Sequence, residues 1–474
     1  MTVADAYSLL ADPIRRVLWD LGWKELRPIQ EQSIHLLLQS ESDLIISARS
    51  ASGQTEAAFL PILSAVSTQP TGSVRALYVG PLRALINDQF RRLEILCRRA
   101  EIPVHRWHGD VGQSERRRLL KTPGGVLLIT PESLEAMFVT RSQALSSLFH
   151  ELSYVVIDEL HAMDGTERGR HLRSLLTRLE RYCVAQPRLV ALSATLGDPQ
   201  RSAIWLRPDE PSRVAIVKDV AEQKAIRFGI FAYLQQANQD EKAQSLRDAR
   251  KGGGPPVEMA GDMFDSFRRD KHLVFANLKS NVEWYADELN QWAARDGRPG
   301  QFLVHHGSLS KDVREHTERL MQGRDAYSTV CTSSLELGID IGNVAAVGQI
   351  GCPSSVASLM QRLGRSGRRD DQAQVMRLYL LEGEANAETD LCDRLRPQLL
   401  QAIALTELML EKWVEPPAAA NGELSTLVQQ ILSVIAETGG ITAGESFARL
   451  VTRGAFRGVP QQVFLDVLKS IGRH

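Results

Sequence analysis

The chain has 474 residues, of which 43% are hydrophobic and 24% charged, with a formal net charge of −1. This balance predicts two or three globular domains and excludes a globally basic nucleic-acid binder, so any positive groove must be local. The N-terminal residues lack the basic segment of a signal peptide, and no apolar run is long enough to span a membrane. We therefore expect a cytoplasmic protein with no membrane partner.

Residues 1–222 alternate short apolar strands with helical stretches, which is typical of a parallel sheet with helices on both faces. The strands are predicted at 43–47, 76–79, 126–129, 154–157 and 189–192. Arg27 and Gln30 precede the first of these strands. The amide of Gln30 can pair with the edge of an adenine while Arg27 stacks on the base or hydrogen-bonds to it. This pair is a candidate for holding the base of a nucleotide.

Residues 47–55, Ser-Ala-Arg-Ser-Ala-Ser-Gly-Gln-Thr, form a nearly complete phosphate-binding loop after the first strand. Backbone N–H groups and a lysine hold the phosphates in such loops, and a hydroxyl holds Mg²⁺. Ser52, Gly53 and Thr55 fit this pattern, but Gln54 stands at the lysine position. Gln54 can donate a hydrogen bond but carries no charge. We therefore expect the loop to keep its shape and to lose its strongest electrostatic contact with the transferred phosphoryl group.

A pair of acidic residues, Asp158 and Glu159, follows the predicted buried strand at 154–157. An Asp at the carboxyl end of a strand beside the phosphate loop can hold Mg²⁺ through water. The adjacent Glu can orient or deprotonate the attacking water. The alternative is a capped helix start after a strand, which is less consistent with the motifs that follow.

A second series of strands is predicted within residues 223–395, at 272–276, 302–305, 327–332, 345–350 and 374–381. Arg365 and Arg368 lie after it in Gln-Arg-Leu-Gly-Arg-Ser-Gly-Arg, residues 361–368. Two arginines separated by small residues are what a second domain requires to reach a γ-phosphate. The interleaved glycines argue against a merely solvated face.

Several short sequence motifs, in a fixed order along the chain, resemble those of a known family. They are Gly-Pro-Leu-Arg-Ala-Leu-Ile-Asn-Asp-Gln at 80–89, Thr-Pro-Glu-Ser-Leu-Glu at 130–135, Asp-Glu-Leu-His at 158–161, Ser-Ala-Thr at 193–195, His-His-Gly-Ser-Leu-Ser at 305–310 and Thr-Ser-Ser-Leu-Glu-Leu-Gly-Ile-Asp-Ile-Gly at 332–342. Over residues 15–400 the chain resembles a superfamily 2 helicase core, most similar to the Lhr-like (large helicase-related) branch. The resemblance implies an α/β fold with two tandem RecA-like domains, ATP and Mg²⁺ as cofactors, and a nucleic-acid strand that crosses both domains.

The resemblance also implies nucleotide contacts at Gly338 and Asp340 and a catalytic role for Gln361, beside Asp158 and Glu159. Candidate strand contacts follow predicted strands, where open α/β sheets bind their ligands. They are Arg83, Thr130, Glu132, Gly307, Ser308 and Thr332. Hydroxyls, glycines and helix N-termini suit phosphates rather than bases, so sequence-independent binding is expected. Taken alone, Thr130 and the proline after it are equally consistent with ordinary helix capping.

A third segment, 396–474, is predicted to contain a linker and three helices, at 424–437, 443–453 and 460–471. They resemble the beginning of the winged-helix domain that Lhr-like proteins carry, although a helical bundle packed on the motor remains almost as consistent. In the winged-helix case we expect an exposed apolar patch that a missing C-terminal domain or a partner protein would cover. Its residues would be Leu427, Ile431, Val434, Phe447, Leu450, Phe464 and Leu468.

Two functions remain open. The first is an ATP-dependent translocase or helicase that acts on single-stranded or partly duplex DNA or an RNA/DNA hybrid, with hydrolysis impaired by Gln54. The resemblance to Lhr-like enzymes implies movement from 3′ to 5′. The second is an ATP-responsive nucleic-acid clamp with little or no hydrolysis. A Lys→Gln change made to trap the ATP-bound state would leave the same pattern.

Overall fold

The structure is a computed structural model. It describes residues 5–48, 52–67, 72–219, 224–235, 257–323, 325–338, 341–367, 372–385, 387, 389–416 and 424–473. The chain divides into two compact units, one formed by Met1–Val220 with Pro416–His474 and the other by Ala221–Glu415. The predicted boundary between residues 222 and 223 lies outside the described residues.

A parallel seven-stranded sheet, in the order β3-β4-β2-β5-β6-β1-β7, forms the centre of the first unit. Its strands are β1 (Asp43–Ser47), β2 (Ala76–Val79), β3 (Val104–Trp107), β4 (Val126–Ile129), β5 (Tyr154–Ile157), β6 (Arg188–Ser193) and β7 (Val214–Lys218). Its helices before the second unit are α1 (Ala6–Leu9), α2 (Asp12–Asp20), α3 (Pro28–Gln39), α4 (Gln54–Val66), α5 (Arg83–Arg99), α6 (Gln113–Lys121), α7 (Pro131–Thr140), α8 (Ser142–Phe149), α9 (Glu167–Leu179) and α10 (Pro199–Leu206).

Both faces of this sheet are buried, because successive residues of a strand point to opposite sides. Leu44 and Ile46 of β1 pack into one hydrophobic cluster, which contains Phe59 of α4. Ile45, between them, packs into a second cluster, which contains Leu175 of α9. This burial explains why the strands are continuous apolar runs rather than alternating ones.

The second unit contains a parallel six-stranded sheet in the order β10-β11-β9-β12-β13-β8. Its strands are β8 (Ile226–Gln235), β9 (His272–Ala276), β10 (Phe302–His305), β11 (Ser328–Cys331), β12 (Ala346–Ile350) and β13 (Gln374–Gly383). Its helices are α11 (Val257–Phe267), α12 (Lys279–Arg295), α13 (Lys311–Gln322), α14 (Val356–Leu363), α15 (Leu391–Arg394) and α16 (Pro397–Leu410). The predicted α/β class with two tandem parallel-sheet domains is confirmed.

Three C-terminal helices, α17 (Leu424–Thr438), α18 (Ala443–Phe447) and α19 (Gln461–Ile471), complete the first unit. Helix α17 packs on α7 and α9. Arg178 of α9, only 2% exposed, donates to Glu437 of α17 at 2.7 and 3.0 Å and to Gln430 at 2.9 Å. Glu135 of α7 accepts from Gln430 at 2.5 Å and from Arg178 at 3.3 Å. A buried polar network therefore joins α17 to the two helices beneath it.

The apolar residues of these helices form a small core of their own. Leu427, Ile431, Val434, Leu450 and Phe464 are buried in one cluster, and Phe447 and Leu468 pack against it. The expected exposed patch at these seven positions is therefore wrong, because the three helices cover one another's apolar faces. Among the residues that the structure describes, no helix combines the length and apolar character needed to cross a membrane.

Candidate functional site

The carboxyl ends of β1, β5 and β6, neighbouring strands of the first sheet, bring the predicted nucleotide residues to one edge. Strand β1 leads to the phosphate loop, whose residues 49–51 lie outside the described part of the chain. Gly53 precedes α4, and Thr55, which is buried, is the second residue of that helix. Strand β5 leads to Asp158, and β6 leads to Ser193. The chain thus places Gly53, the Thr55 hydroxyl and the Asp158 carboxylate at the same edge of the sheet.

Gln30 connects the predicted base-binding pair to the phosphate loop. Its Oε1 accepts a hydrogen bond from the backbone N–H of Arg27 at 2.9 Å, and its Nε2 lies 3.4 Å from the Gly53 carbonyl. Gly53 has a φ of +84°, and a Cβ at this position would meet Gln30 Nε2 at 2.6 Å. Both the left-handed backbone and the close approach of Gln30 require a glycine here.

Gln54 directs its side chain into the sheet. Its Nε2 donates to the Ile46 carbonyl at 2.6 Å and to the Ser193 carbonyl at 2.9 Å. A glutamine amide has two N–H donors, so both are committed to backbone carbonyls at the ends of β1 and β6. The residue at the lysine position therefore contributes no positive charge to the loop.

Asp158 is buried, and both of its carboxylate oxygens accept hydrogen bonds. Oδ2 accepts from the Tyr78 hydroxyl, and Oδ1 accepts from the backbone N–H of Glu159 at 2.8 Å. Burial and the neighbouring charge of Glu159 raise the pKa of Asp158 to about 7. A cation would relieve this unfavourable burial of two carboxylates, which is the chemistry expected of a Mg²⁺ site.

Glu159 has a left-handed backbone conformation, with φ of 52°. Such a conformation is uncommon for a residue other than glycine and is concentrated at functional sites. Its carboxylate lies 3.3 Å from His161 Nε2, and His161 Nδ1 lies 3.1 Å from Ser193 Oγ. One histidine therefore connects the candidate catalytic base to the end of β6.

These residues fit Mg²⁺ and ATP in part. Gly53 provides the close backbone approach, Thr55 a hydroxyl and Asp158 a carboxylate, which are the groups that would hold the phosphates and the metal. Gln54 does not fit the role of the lysine, because it is neutral and its donors are already used. The site can accept a nucleotide more readily than it can stabilise the charge that develops during phosphoryl transfer.

The candidate strand contacts of the first unit follow neighbouring strands. Arg83 begins α5 after β2 and forms an ion pair with Asp110 at 2.9 Å. Thr130 is buried after β4, and its Oγ1 caps α7 by accepting from the Ser133 N–H at 3.4 Å. Glu132 forms an ion pair with Arg168 at 2.8 Å. Thr130 thus serves as a helix cap in this structure, and its contact with nucleic acid remains a prediction.

The candidate strand contacts of the second unit also follow neighbouring strands of its sheet. Gly307 and Ser308 follow β10, and Thr332 follows the adjacent strand β11. A Cβ at Gly307 would meet nothing within 4 Å, so this position is open. Lys279, the first residue of α12, donates to Ser308 Oγ. Sequence reasoning missed Lys279, although it follows the end of β9 as the other candidates follow their strands.

The arginine segment begins at the end of α14. Gln361 is half-buried, and Arg365 is 2% exposed. Arg362, which was not predicted, forms an ion pair with Glu336 at 2.8 Å and lies 5.0 Å from the Phe275 ring centroid. Gly338 is described, whereas Asp340 and Arg368 lie outside the described residues.

Two family models match the chain, one in each of its two parallel-sheet domains. Residues 27–202 match the DEAD/DEAH box helicase family, and residues 256–370 match the helicase conserved C-terminal domain. The first match contains the phosphate loop and Asp158. The second contains Ser308, Thr332 and Arg365.

Similar proteins come from bacteria and archaea. The chain is 28% identical to the Lhr helicase/uracil glycosylase of Escherichia coli, over 98% of this chain and 33% of that protein. It is 29% identical to the ATP-dependent helicase Lhr-Core of Methanothermobacter thermautotrophicus, over 90% of this chain and 49% of that protein. The chain thus spans between a third and half of the length of these curated relatives.

A solved structure matches over nearly all of the chain. It is that of Mycobacterium smegmatis helicase Lhr bound to ssDNA and AMP-PNP, with a TM-score of 0.80 and 27% identity. The match covers 98% of this chain and 58% of that one. Each of the two parallel-sheet domains therefore has the RecA-like fold that the sequence predicts.

Proposed function

We propose that the chain, which is similar to Lhr-like helicases of superfamily 2, is an ATP-dependent translocase or helicase. The observation that carries the proposal is the position of Asp158 and Glu159 at the end of β5, beside the phosphate loop and Thr55. This arrangement suits a nucleotide with Mg²⁺ better than any other ligand, because it combines phosphate, metal and water contacts. We assign the base to Arg27 and Gln30, and further nucleotide contacts to Ser52, Gly338 and Asp340.

We propose single-stranded or partly duplex nucleic acid as the substrate, bound without regard to base sequence. Support comes from the neighbour that is bound to ssDNA and from the character of the candidate residues. Arg83, Gly307, Ser308 and Thr332 follow the carboxyl ends of strands, where hydroxyls and backbone N–H groups suit phosphates. Movement from 3′ to 5′ and action in the cytoplasm, where ATP and nucleic acid are both present, are parts of the same proposal.

We propose further that hydrolysis is slow in this chain. Gln54 is neutral, and both of its amide hydrogens are bound to carbonyls. Loss of a charge-assisted contact with the transferred phosphoryl group costs on the order of 2–4 kcal/mol in the transition state, or about a hundredfold to a thousandfold in rate. Asp158, Glu159 and Arg365 would still bind and orient the reacting groups.

The same observation favours a second candidate, an ATP-responsive clamp. A chain that binds nucleotide but hydrolyses it very slowly would close on a strand and remain there. The two candidates share their binding residues and differ only in turnover.

Strand displacement tests the proposal. The experiment uses three fluorescent duplexes: one with a 3′ tail, one with a 5′ tail and one with blunt ends. Each is mixed with excess protein in the presence of ATP, in the presence of AMP-PNP, or without nucleotide. We expect slow, ATP-dependent displacement of the 3′-tailed duplex only. ATP-sensitive binding without displacement, in both the unmodified chain and Gln54→Lys, would favour the clamp. Absence of nucleotide-sensitive binding would contradict both candidates.

A further inference from the structure

Tyr78 is a fully buried tyrosine whose hydroxyl reaches the candidate metal-binding carboxylate. It is the third residue of β2 and lies beside Val156 of β5 in the parallel register. Its hydroxyl donates to Asp158 Oδ2, while the Glu159 N–H donates to Oδ1 at 2.8 Å. Each oxygen of the carboxylate therefore has one protein donor. A carboxylate oxygen accepts about two hydrogen bonds, so each keeps one direction available for a metal-bound water.

The local structure holds the Tyr78 ring in place. The ring centroid lies 6.1 Å from that of Phe59 on α4, at an interplanar angle of 40°. A Cβ at Gly80 would approach Tyr78 Cε1 to 3.0 Å, so the glycine after β2 leaves room for the ring. Neighbouring strands thus deliver the hydroxyl to one oxygen of Asp158 and leave the ring little freedom to move.

We propose that Tyr78 is a positioning residue that fixes the Asp158 carboxylate for Mg²⁺-nucleotide binding. This inference rests on the proposed function, because it assigns Asp158 to the metal. Two donors at opposite oxygens hold the carboxylate in one orientation, in which it could accept hydrogen bonds from metal-bound water. Hydrogen-bond partners of groups that hold a metal typically influence metal affinity by about tenfold or more.

The Tyr78→Phe variant removes only the hydroxyl and keeps the ring against Phe59. The measurement is binding of a fluorescent ATP analogue at a series of Mg²⁺ concentrations and in EDTA. We expect the half-saturating Mg²⁺ concentration to rise about tenfold, with the affinity in EDTA unchanged. In an Asp158→Asn background, Tyr78→Phe should cause less than about a twofold further change, since the neutral side chain no longer serves the metal.

Tyr154→Phe is a matched control, because Tyr154 lies in the same sheet and its hydroxyl has no hydrogen-bond partner among the residues that the structure describes. This control should keep the Mg²⁺ dependence of the unmodified chain. If the Mg²⁺ dependence of the Tyr78→Phe variant were unchanged, the inference would be overturned and the proposed function would stand. The same would follow if nucleotide affinity weakened equally in Mg²⁺ and in EDTA. Absence of Mg²⁺-dependent nucleotide binding by the unmodified chain would overturn the proposed function and the inference with it.

Discussion

Gln54 and Ser193 are joined by a hydrogen bond of 2.9 Å from the side-chain amide of the first to the backbone carbonyl of the second. This bond links the first residue of α4 to the last residue of β6. A lysine at position 54 would bring an ammonium group with three donors and a full charge to the same place. The structure therefore places a neutral amide, with both of its N–H groups bound to carbonyls, at the position where a phosphate-binding loop of this type carries a lysine.

The Gln54→Lys variant should increase nucleic-acid-stimulated ATP hydrolysis by at least about tenfold, since it restores a charge-assisted contact in the transition state. Steady-state hydrolysis with and without single-stranded DNA is the measurement. Gln32→Lys is a suitable control, because Gln32 is exposed on α3 and its charge would lie in solvent. Rapid hydrolysis by the unmodified chain would contradict the prediction and would indicate that another cation, such as Arg49, supplies the charge.

The Glu159→Gln variant should lose the remaining ATP hydrolysis and keep single-strand affinity within about threefold, because we assign Glu159 to the attacking water rather than to the strand. Hydrolysis and fluorescence anisotropy with a labelled strand are measured on the same preparation. Glu101→Gln provides a control, since Glu101 is an exposed glutamate that also has a left-handed backbone, with φ of 55°. If Glu159→Gln abolished strand binding, its assignment to water would be wrong.

The Arg365→Ala variant should also lose ATP hydrolysis and retain strand affinity, if Arg365 contacts the transferred phosphoryl group. The same two measurements apply. Arg365 is buried, so the thermal unfolding midpoint of the variant must be determined alongside. Unchanged hydrolysis in a folded variant would exclude Arg365 from the reaction.

Single-strand binding should weaken as salt increases and should be nearly equal for different homopolymers, because the proposed contacts go to phosphates. Lys279→Ala should reduce the magnitude of the slope of log affinity against log salt by about 0.7, the value expected for one lost phosphate contact on a single strand. Lys121→Ala is a control at the end of α6, away from the strand ends that carry the candidates. Strong preference for one base at high salt would contradict this prediction.

Much of this site could be predicted from the sequence because its residues follow continuous apolar strands. All of the predicted strands occur, within a few residues of their expected limits. Strands β3, β7 and β8, each at an edge of its sheet, were missed. In β3, His105 and Arg106 interrupt the apolar pattern. The partners of Gln54 and Tyr78 could not be predicted, since they are set by the register of strands that are distant in sequence. The same holds for Arg178, which lies far from Glu437 along the chain.

The Arg178→Met variant should lower the free energy of unfolding by about 3–5 kcal/mol, because it leaves Glu437 buried without its cation and Glu135 with only His171. Urea denaturation at neutral pH measures the change. Arg181→Met is the control, since Arg181 is exposed just beyond the end of α9. A loss of less than about 1 kcal/mol would show that the network contributes little to stability.

Lowering the pH should weaken the packing of the C-terminal helices on the first unit, because it protonates Glu135. Burial acts to raise the pKa of Glu135, but hydrogen bonding to His171 and the charge of Arg178 outweigh it and lower the pKa from 4.5 to about 2. Because the folded-state pKa lies below the ordinary value, the stabilisation is fully present above about pH 4.5 and is lost as the pH falls towards 2. The hydrogen-exchange protection factors of residues 424–473, which correct for the pH dependence of intrinsic exchange, should therefore fall from pH 6 to pH 3 more steeply than global unfolding requires. Glu135→Gln should flatten this dependence, whereas Asp466→Asn, at an exposed position of α19, should leave it unchanged. If the unmodified chain and Glu135→Gln lost protection in parallel, another carboxylate would have to hold α17 in place.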